Sequence, residues 1–300
     1  MEHWLYVFIG LLIIILVYSI IEQKFFVTTT YKLSYDYLKN IAPLNFVVLS
    51  DLHNSAFGKN NIKLIKKIDE LNPDFILLAG DMITKNKLCM PSNAYILLKE
   101  LSKRYKIYYA YGNHEQKLDD LASDKNPAAQ KLYNSWRQYK ATLYEHGVVF
   151  LDNMSLSYIN RSANKENKNI NIRGLSIELD YYKPGKPEVL EEDYLNKLIG
   201  EKNPSDFDIL IAHNPLYFPD YARWGSDLVI SGHVHGGIIR LPFLKGVISP
   251  QMKLFPKYDA GEFSIGNSKM LLSRGLGTHS FMLRVFNRPE LVNVIIDNKL

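Results

Sequence analysis

Five short apolar runs in this 300-residue chain each lead into side chains that bind metals. Residues 46–50 run into Asp51-Leu52-His53, and residues 75–79 into Gly80-Asp81. Residues 107–111 precede Gly112-Asn113-His114-Glu115, residues 209–212 precede His213-Asn214, and residues 228–231 precede Gly232-His233-Val234-His235. Carboxylate and amide oxygens beside imidazoles suit Mn, Fe or Zn, and the set is too large for a single ion. Cys89 is the only cysteine, so thiolate sites and a disulfide framework are excluded. The glycines before Asp81, Asn113 and His233 permit tight turns and close backbone approach.

The elements that must position these groups are legible from the pattern. Runs rich in Val, Ile, Leu and Tyr predict buried strands. Ligands at their carboxyl ends are expected to converge on one edge of a sheet, where open α/β folds place their sites. Ile62, Ile65, Ile68 and Leu71 recur at helical spacing before Asn72-Pro73. Ser92 can cap a helix reaching about Arg104. Strand and helix thus alternate, which predicts parallel pairing through right-handed crossovers. Residues 127–146 predict an amphipathic helix with Leu132, Trp136, Tyr139, Leu143 and Tyr144 packing into the core. Strands are expected at 148–151, 155–160 and 169–175, a solvated loop at 161–168, and a helix at 191–199. Later strands are expected at 238–241, 262–265, 270–273 and 291–297. The fold class is α/β: two packed mixed β-sheets flanked by helices.

Residues 4–21 carry no charge, and only Gly10 and Ser19 are not large apolar types. That length spans a bilayer as a helix. Met1-Glu2-His3 offers no basic flank and residues 22–26 no small-residue cleavage site, which favours an uncleaved single-pass anchor over a signal peptide. Lys24, Lys32 and Lys39 follow the run, so the positive-inside rule puts the domain on the cytoplasmic side of the cell membrane. The expected plan is an anchor at 1–24, a tether or entry strand at 25–43, and one catalytic domain at 44–300. A net charge of +5 is weaker than a nucleic-acid-binding domain usually shows, so nucleic acid is not an expected partner.

From about residue 44 onward, the order and spacing of the five motifs resemble the calcineurin-like metallophosphoesterases. The segments Leu254-Phe255-Pro256-Lys257-Tyr258, Ser273-Arg274-Gly275-Leu276-Gly277 and Arg284-Val285-Phe286-Asn287-Arg288-Pro289-Glu290 resemble that family's membrane-anchored bacterial branch. The branch includes phosphodiesterases of the UDP-2,3-diacylglucosamine pyrophosphatase type. The resemblance implies two divalent ions, Mn foremost, with Fe, Zn or Mg as alternatives. It implies that Asp51, His53 and His235 hold one ion, that Asn113, His213 and His233 hold the other, and that Asp81 bridges them. It places His114 beside the reacting phosphate, giving the leaving oxygen a proton or hydrogen bond as imidazolium. Glu115 stands where many members have Asp and would orient His114. The implied reaction is hydrolysis of a phosphodiester or pyrophosphate bond by a hydroxide held between the ions. An amphiphilic substrate such as UDP-2,3-diacylglucosamine fits the anchor. A broad phosphomonoesterase or protein phosphatase, and a metal-binding scaffold without turnover, are the alternatives.

Outside the motifs, His3 and His146 read as surface residues, and His279 as a solvated-loop residue or a lining of the site. Arg240, Lys253, Lys257, Arg274, Arg284 and Arg288 cluster late in the chain. They either steer a phosphate or, as such residues more often do, pair on the surface. Phe243, Leu244, Phe255 and Phe281 lie in loop-like stretches and either meet the bilayer or pack.

Overall fold

The apolar runs fold into two six-stranded sheets in a computed structural model. It describes residues 2–35, 38, 43–85, 88–158, 169–183, 185–186, 189–237, 239–241, 245–248, 254–278 and 283–297. Helix α1 (Glu2–Glu22) comes first. Its side chains are mostly exposed, and His3–Glu22 is long and apolar enough to cross a membrane. Then come β1 (Val27–Leu33), β2 (Leu44–Leu49), α2 (Ile62–Leu71), β3 (Phe75–Ala79), α3 (Asn93–Leu101) and β4 (Lys106–Ala110). Next are α4 (Asn113–Asp119), α5 (Pro127–Glu145), β5 (Val149–Leu151), β6 (Met154–Tyr158), β7 (Ile170–Leu175) and α6 (Tyr194–Ile199). β8 (Phe207–Ala212), α7 (Phe218–Trp224), β9 (Leu228–Ser231), β10 (Ile239–Leu241) and β11 (Lys245–Ile248) follow. The last strands are β12 (Gly261–Ile265), β13 (Ser268–Leu272) and β14 (Glu290–Ile296).

The first sheet runs β1-β14-β2-β3-β4-β5, and the second β12-β13-β9-β8-β7-β6. β2 through β5 are parallel, as are β7, β8, β9 and β13. Side-chain alternation decides how the layers stack. From β2, Val47 and Leu49 face a layer with Leu64, Leu97, Trp136 and Leu143 from α2, α3 and α5. Phe46 and Val48 face the other way, onto Ile209, Ile211 and Ile230 of the second sheet. A third layer packs Leu195, Phe218 and Tyr221 of α6 and α7 against Leu210, Val229 and Met270. Truncating one inter-sheet aromatic such as Phe75 would cost about 3–5 kcal/mol, a large share of a domain's net stability. The sheets therefore hold each other, and with them the relative position of their carboxyl ends.

Several local expectations change. Ser92 does cap α3, accepting from the Tyr95 amide at 3.1 Å, but the helix ends at Leu101. The expected helix at 191–199 begins only at Tyr194. Tyr144 is exposed, off the buried stripe of Trp136, Tyr139 and Leu143. Helices α4 and α7 and strand β11 had no sequence signal. α4 buries Asn113, His114 and Glu115, so its inward face is polar and shows no apolar period. α7 has seven residues, too few to display one. The expected loop at 161–168 lies outside the described residues, as do Lys253, His279, Phe243, Leu244 and Phe281.

Candidate metal centre

The chain leaves its strands through strained turns. Asp51, His53, Asp81, His233 and His235 all have positive φ, between 45° and 74°. Non-glycine residues adopt this region only when their surroundings over-determine it, and such strain concentrates at functional sites. Here the loops bond one another. The Asp51 amide donates to the Gly80 carbonyl, the His53 amide to the Asp81 carbonyl and the Gly277 amide to the Asp51 carbonyl, at 3.0, 3.0 and 2.6 Å. A Cβ on Gly80 (φ 83°) would lie 2.5 Å from the Gly112 nitrogen, and one on Gly112 would lie 2.2 Å from Asp81 Oδ1. Only glycine lets these two loops pass so closely.

The predicted groups come together, but not along one sheet edge. Asp51, Asp81 and Asn113 follow β2, β3 and β4 of the first sheet, whereas His213 and His233 follow β8 and β9 of the second. The cluster straddles the carboxyl ends of both. The reason is the inter-sheet layer, which sets the two parallel edges side by side. Three groupings place their ligand atoms within 4.8 Å of one another: Asp51, His53 and His235; His53, Asp81 and His114; and Asp81, His213 and His233. Asp81 belongs to two of these. Its Oδ2 lies 3.3 Å from His213 Nε2 and 3.8 Å from His53 Nε2. Asp51 Oδ1 lies 3.4 Å from His235 Nε2 and 3.8 Å from His213 Nε2.

Outer contacts aim the rings inward. His213 Nδ1 donates to the Ala79 carbonyl at 2.6 Å and His235 Nδ1 to the Gly277 carbonyl at 3.0 Å, which leaves each Nε2 facing the carboxylates. His53 Nε2 and His235 Nε2 face each other at 3.2 Å. Asp51 accepts from the Ser50 hydroxyl and, at 3.1 Å, from the His233 amide.

The electrostatics register a shortage of fixed positive charge. Burial pushes the Asp51 carboxyl up to about 6. Burial would raise Asp81 too, but the His213, His114 and His53 imidazoles draw it well below the usual carboxylate range. Burial disfavours a charged His213, yet Asp81 and Asp51 outweigh it and raise the imidazole to about 10. Among the expected ligands, His213 Nε2 and Asn113 Oδ1 are buried with no hydrogen-bond partner in the described residues. Unpartnered nitrogen and oxygen atoms beside buried carboxylates, with no sulfur among the ligands, fit divalent cations, for which the His213 proton would be exchanged.

Residues 44–237 match the profile of the calcineurin-like phosphoesterases. The chain belongs to that family. It is 29% identical over 264 residues to the uncharacterized metallophosphoesterase Cj0846 of Campylobacter jejuni, covering 85% of this chain and 60% of that protein. It is 26% identical over 284 residues to LpxG of Chlamydia trachomatis, named a UDP-2,3-diacylglucosamine pyrophosphatase, covering 83% and 82%. Phosphodiesterase YaeI of Escherichia coli is 25% identical over 254 residues, covering 84% and 82%. This calcineurin-like phosphoesterase thus has diesterase- and pyrophosphatase-named relatives, in a family that uses divalent metal ions.

Two calcineurin-like motif residues make contacts that the motif alone does not show. His114 Nδ1 accepts from the Lys85 amide at 3.2 Å, so its proton sits on Nε2, 4.0 Å from Asp81 Oδ2. Burial lowers the ring's pKa, against the pull of the Asp81 carboxylate. Glu115 is fully buried. Its carboxylate accepts from the Asp81, Met82 and Gly112 amides and from the Tyr109 hydroxyl, at 2.7–2.9 Å. It therefore pins the turn carrying Asp81 to the turn carrying Asn113, and burial pushes it up to about 7.

Two of the late basic residues pair with carboxylates. Arg240 bonds Asp259, and Arg274 bonds Glu290, each at 3.0 Å. His3 and His146 are exposed as expected. Sequence reading missed what the tail motif does. Buried Arg284 donates to the carbonyls of Arg274 and Gly277 at 2.8 and 2.7 Å. The Asn287 amide donates to the carbonyls of His235 and Gly237 at 2.7 and 2.5 Å. The quoted tail motif was the available signal, but nothing local reveals contacts across 50 residues. Tyr182, whose ring lies 5.0 Å from that of His233, was also missed.

Proposed function

We propose that the chain is a membrane-anchored, dinuclear metal-dependent hydrolase of phosphodiester or pyrophosphate bonds. The observation that carries this reading is Asp81, whose carboxylate belongs to two adjoining ligand groups lined with inward-facing imidazole nitrogens. Asp51, His53 and His235 would hold one ion, Asn113, His213 and His233 the second, and Asp81 both. When bound, two divalent ions would supply Lewis acidity, acidifying water and neutralising phosphoryl charge. The rest is the chain's own work. His114 presents Nε2–H at the rim of the Asp81 grouping, placed to hydrogen-bond the oxygen of a departing alcohol or phosphate. Such a group typically contributes about 10²–10⁴-fold. Glu115 keeps Asp81 and Asn113 at fixed separation by bonding both turns.

Residues 4–21 form the anchor in this reading, 44–300 the catalytic domain, and the lysines after the anchor favour the cytoplasmic face. An amphiphilic, nucleotide-linked lipid such as UDP-2,3-diacylglucosamine suits both the anchor and the name of the Chlamydia relative. Mn is the first metal to try, since a mixed carboxylate, amide and imidazole set suits it. The test compares full-length, Mn-loaded protein in detergent micelles on bis-p-nitrophenyl phosphate, p-nitrophenyl phosphate and UDP-2,3-diacylglucosamine. The diester and the nucleotide lipid should be cleaved faster than the monoester. A preference for the monoester would move the reading to a phosphomonoesterase.

A further inference from the structure

The last turns of α1 are not free. Ser19 is fully buried, and its hydroxyl accepts from the Arg284 amide at 2.7 Å. Glu22 is buried as well. Gln23 Oε1 accepts from the Thr278 hydroxyl at 3.2 Å. The Tyr18 ring meets the Phe286 ring at 5.4 Å. The chain continues without slack, since the Val27 amide donates to the Pro289 carbonyl at 2.9 Å. The helix is thus docked onto the loop of residues 283–289.

This docking fixes a depth. Tyr18 lies three residues inside the end of the apolar run at Ile21, about 4–5 Å along a helix axis. Whatever touches Tyr18 sits at that level. Phe286 does so while remaining 55% exposed, on a backbone held at φ 53°. Arg288, two residues on, is exposed, and a cation there is attracted to an anionic lipid surface. An exposed aromatic at the level of an apolar span, beside a free-facing basic residue, matches the composition of a bilayer interface.

We infer that the loop of residues 283–289 is a membrane seat, with Phe286 inserted among lipid headgroups and upper acyl chains beside Tyr18. This rests on α1 being a membrane anchor, and adds that the domain is clamped against the bilayer instead of tethered above it. The seat and the metal centre share structure. Arg284, inside the loop, bonds the Gly277 carbonyl that also accepts from His235. The centre therefore stands at a set height over the lipid.

The test is site-directed spin labelling of full-length, Mg²⁺-loaded protein in phosphatidylcholine–phosphatidylglycerol vesicles. The background is Cys89→Ser, which replaces an exposed cysteine. Labels go on Phe286→Cys and, as a second variant on the same loop, Arg288→Cys. Ile13→Cys in α1 is the lipid control. Tyr144→Cys, exposed at the end of α5 beside the amino edge of the first sheet, is the water control. The Phe286 label should match Ile13 in high oxygen and low nickel-chelate accessibility, with Arg288 at the phosphate level and Tyr144 the reverse. If both loop labels behave like Tyr144 while Ile13 reports lipid, the seat is refuted and the anchor stands. Spin–spin broadening at 286 would assign the loop to a second copy of the chain and likewise overturn the seat. If Ile13 reports water, the anchor reading falls, and the seat with it.

Discussion

Two clusters of buried charge sit at opposite ends of the same two strands, β8 and β9. At the amino ends, Asp208 is paired with Arg173 at 2.5 Å and Lys202 at 3.3 Å, and Lys202 also pairs with Asp227. At the carboxyl ends, Asp51 and Asp81 are equally buried, and among the described residues the side chains within ion-pair distance of them are imidazoles. Guanidinium and ammonium groups are permanent cations, so the first cluster is neutralised by the chain itself. Imidazoles neutralise a carboxylate only by taking up a proton, as the raised His213 shows. The contrast separates a structural network from a site built to receive exchangeable cations. Both are buried carboxylate clusters, so burial alone would not tell them apart.

Exchanging the key carboxylates breaks the comparison most sharply. Asp81→Ala should lose bound metal and turnover together, by more than the roughly 10–100-fold typical of deleting an outer-shell partner of a ligand. Asp208→Ala should keep wild-type metal content in the folded fraction, yet lose about 3–5 kcal/mol of stability by leaving the Arg173 guanidinium without its carboxylate. Elemental analysis and denaturant unfolding of both variants read the two effects separately. Metal loss on Asp208→Ala would erase the distinction.

Within the carboxyl-end cluster, His114 should differ from its neighbours. His114→Ala is expected to lower turnover by about 10²–10⁴-fold while both metals remain. Loss of metal in this variant would make His114 a ligand and end the division of labour.

Per unit of pH, the smallest effect is on metal affinity. Without metal, His213 holds a proton up to about 10 in the folded state, against about 6.5 unfolded. The folded form then binds the extra proton between these values, so its stability contribution is complete below about 6.5 and lost as pH rises toward 10. A cation at Nε2 must displace that proton. Metal affinity should therefore rise with pH across the same window, by up to about tenfold per unit for one proton. Calorimetry at pH 7 in buffers of different ionisation enthalpy should register proton release. The Asp208 cluster should add nothing to that slope, and a pH-independent affinity would contradict the assignment.

Much of this was legible in the sequence, for physical reasons. The strands before Asp51, Asp81, Asn113, His213 and His233 are apolar on both faces because each sheet is covered on both sides. Their ends were consequently unmistakable, and so were the groups attached to them. Which ends meet was less legible. The site draws on two sheets, and only the inter-sheet packing of Phe46, Val48, Ile209 and Ile230 brings their edges together. The left-handed turns at Asp51, Asp81, His233 and His235 leave no compositional mark, since aspartate and histidine are not turn signals of glycine's strength. The partners of Glu115 were unreadable because two of them, the Asp81 and Met82 amides, belong to another loop. Arg284 and Asn287 were unreadable because their acceptors lie on loops that only the folded chain brings alongside.

Anomalous diffraction from Mn-loaded crystals of the chain tests the central claim most directly. Two peaks should appear, one on each side of the Asp81 carboxylate, with His53 and His235 nearer one and His213 and His233 nearer the other. A single peak, or two peaks that do not share Asp81, would contradict it.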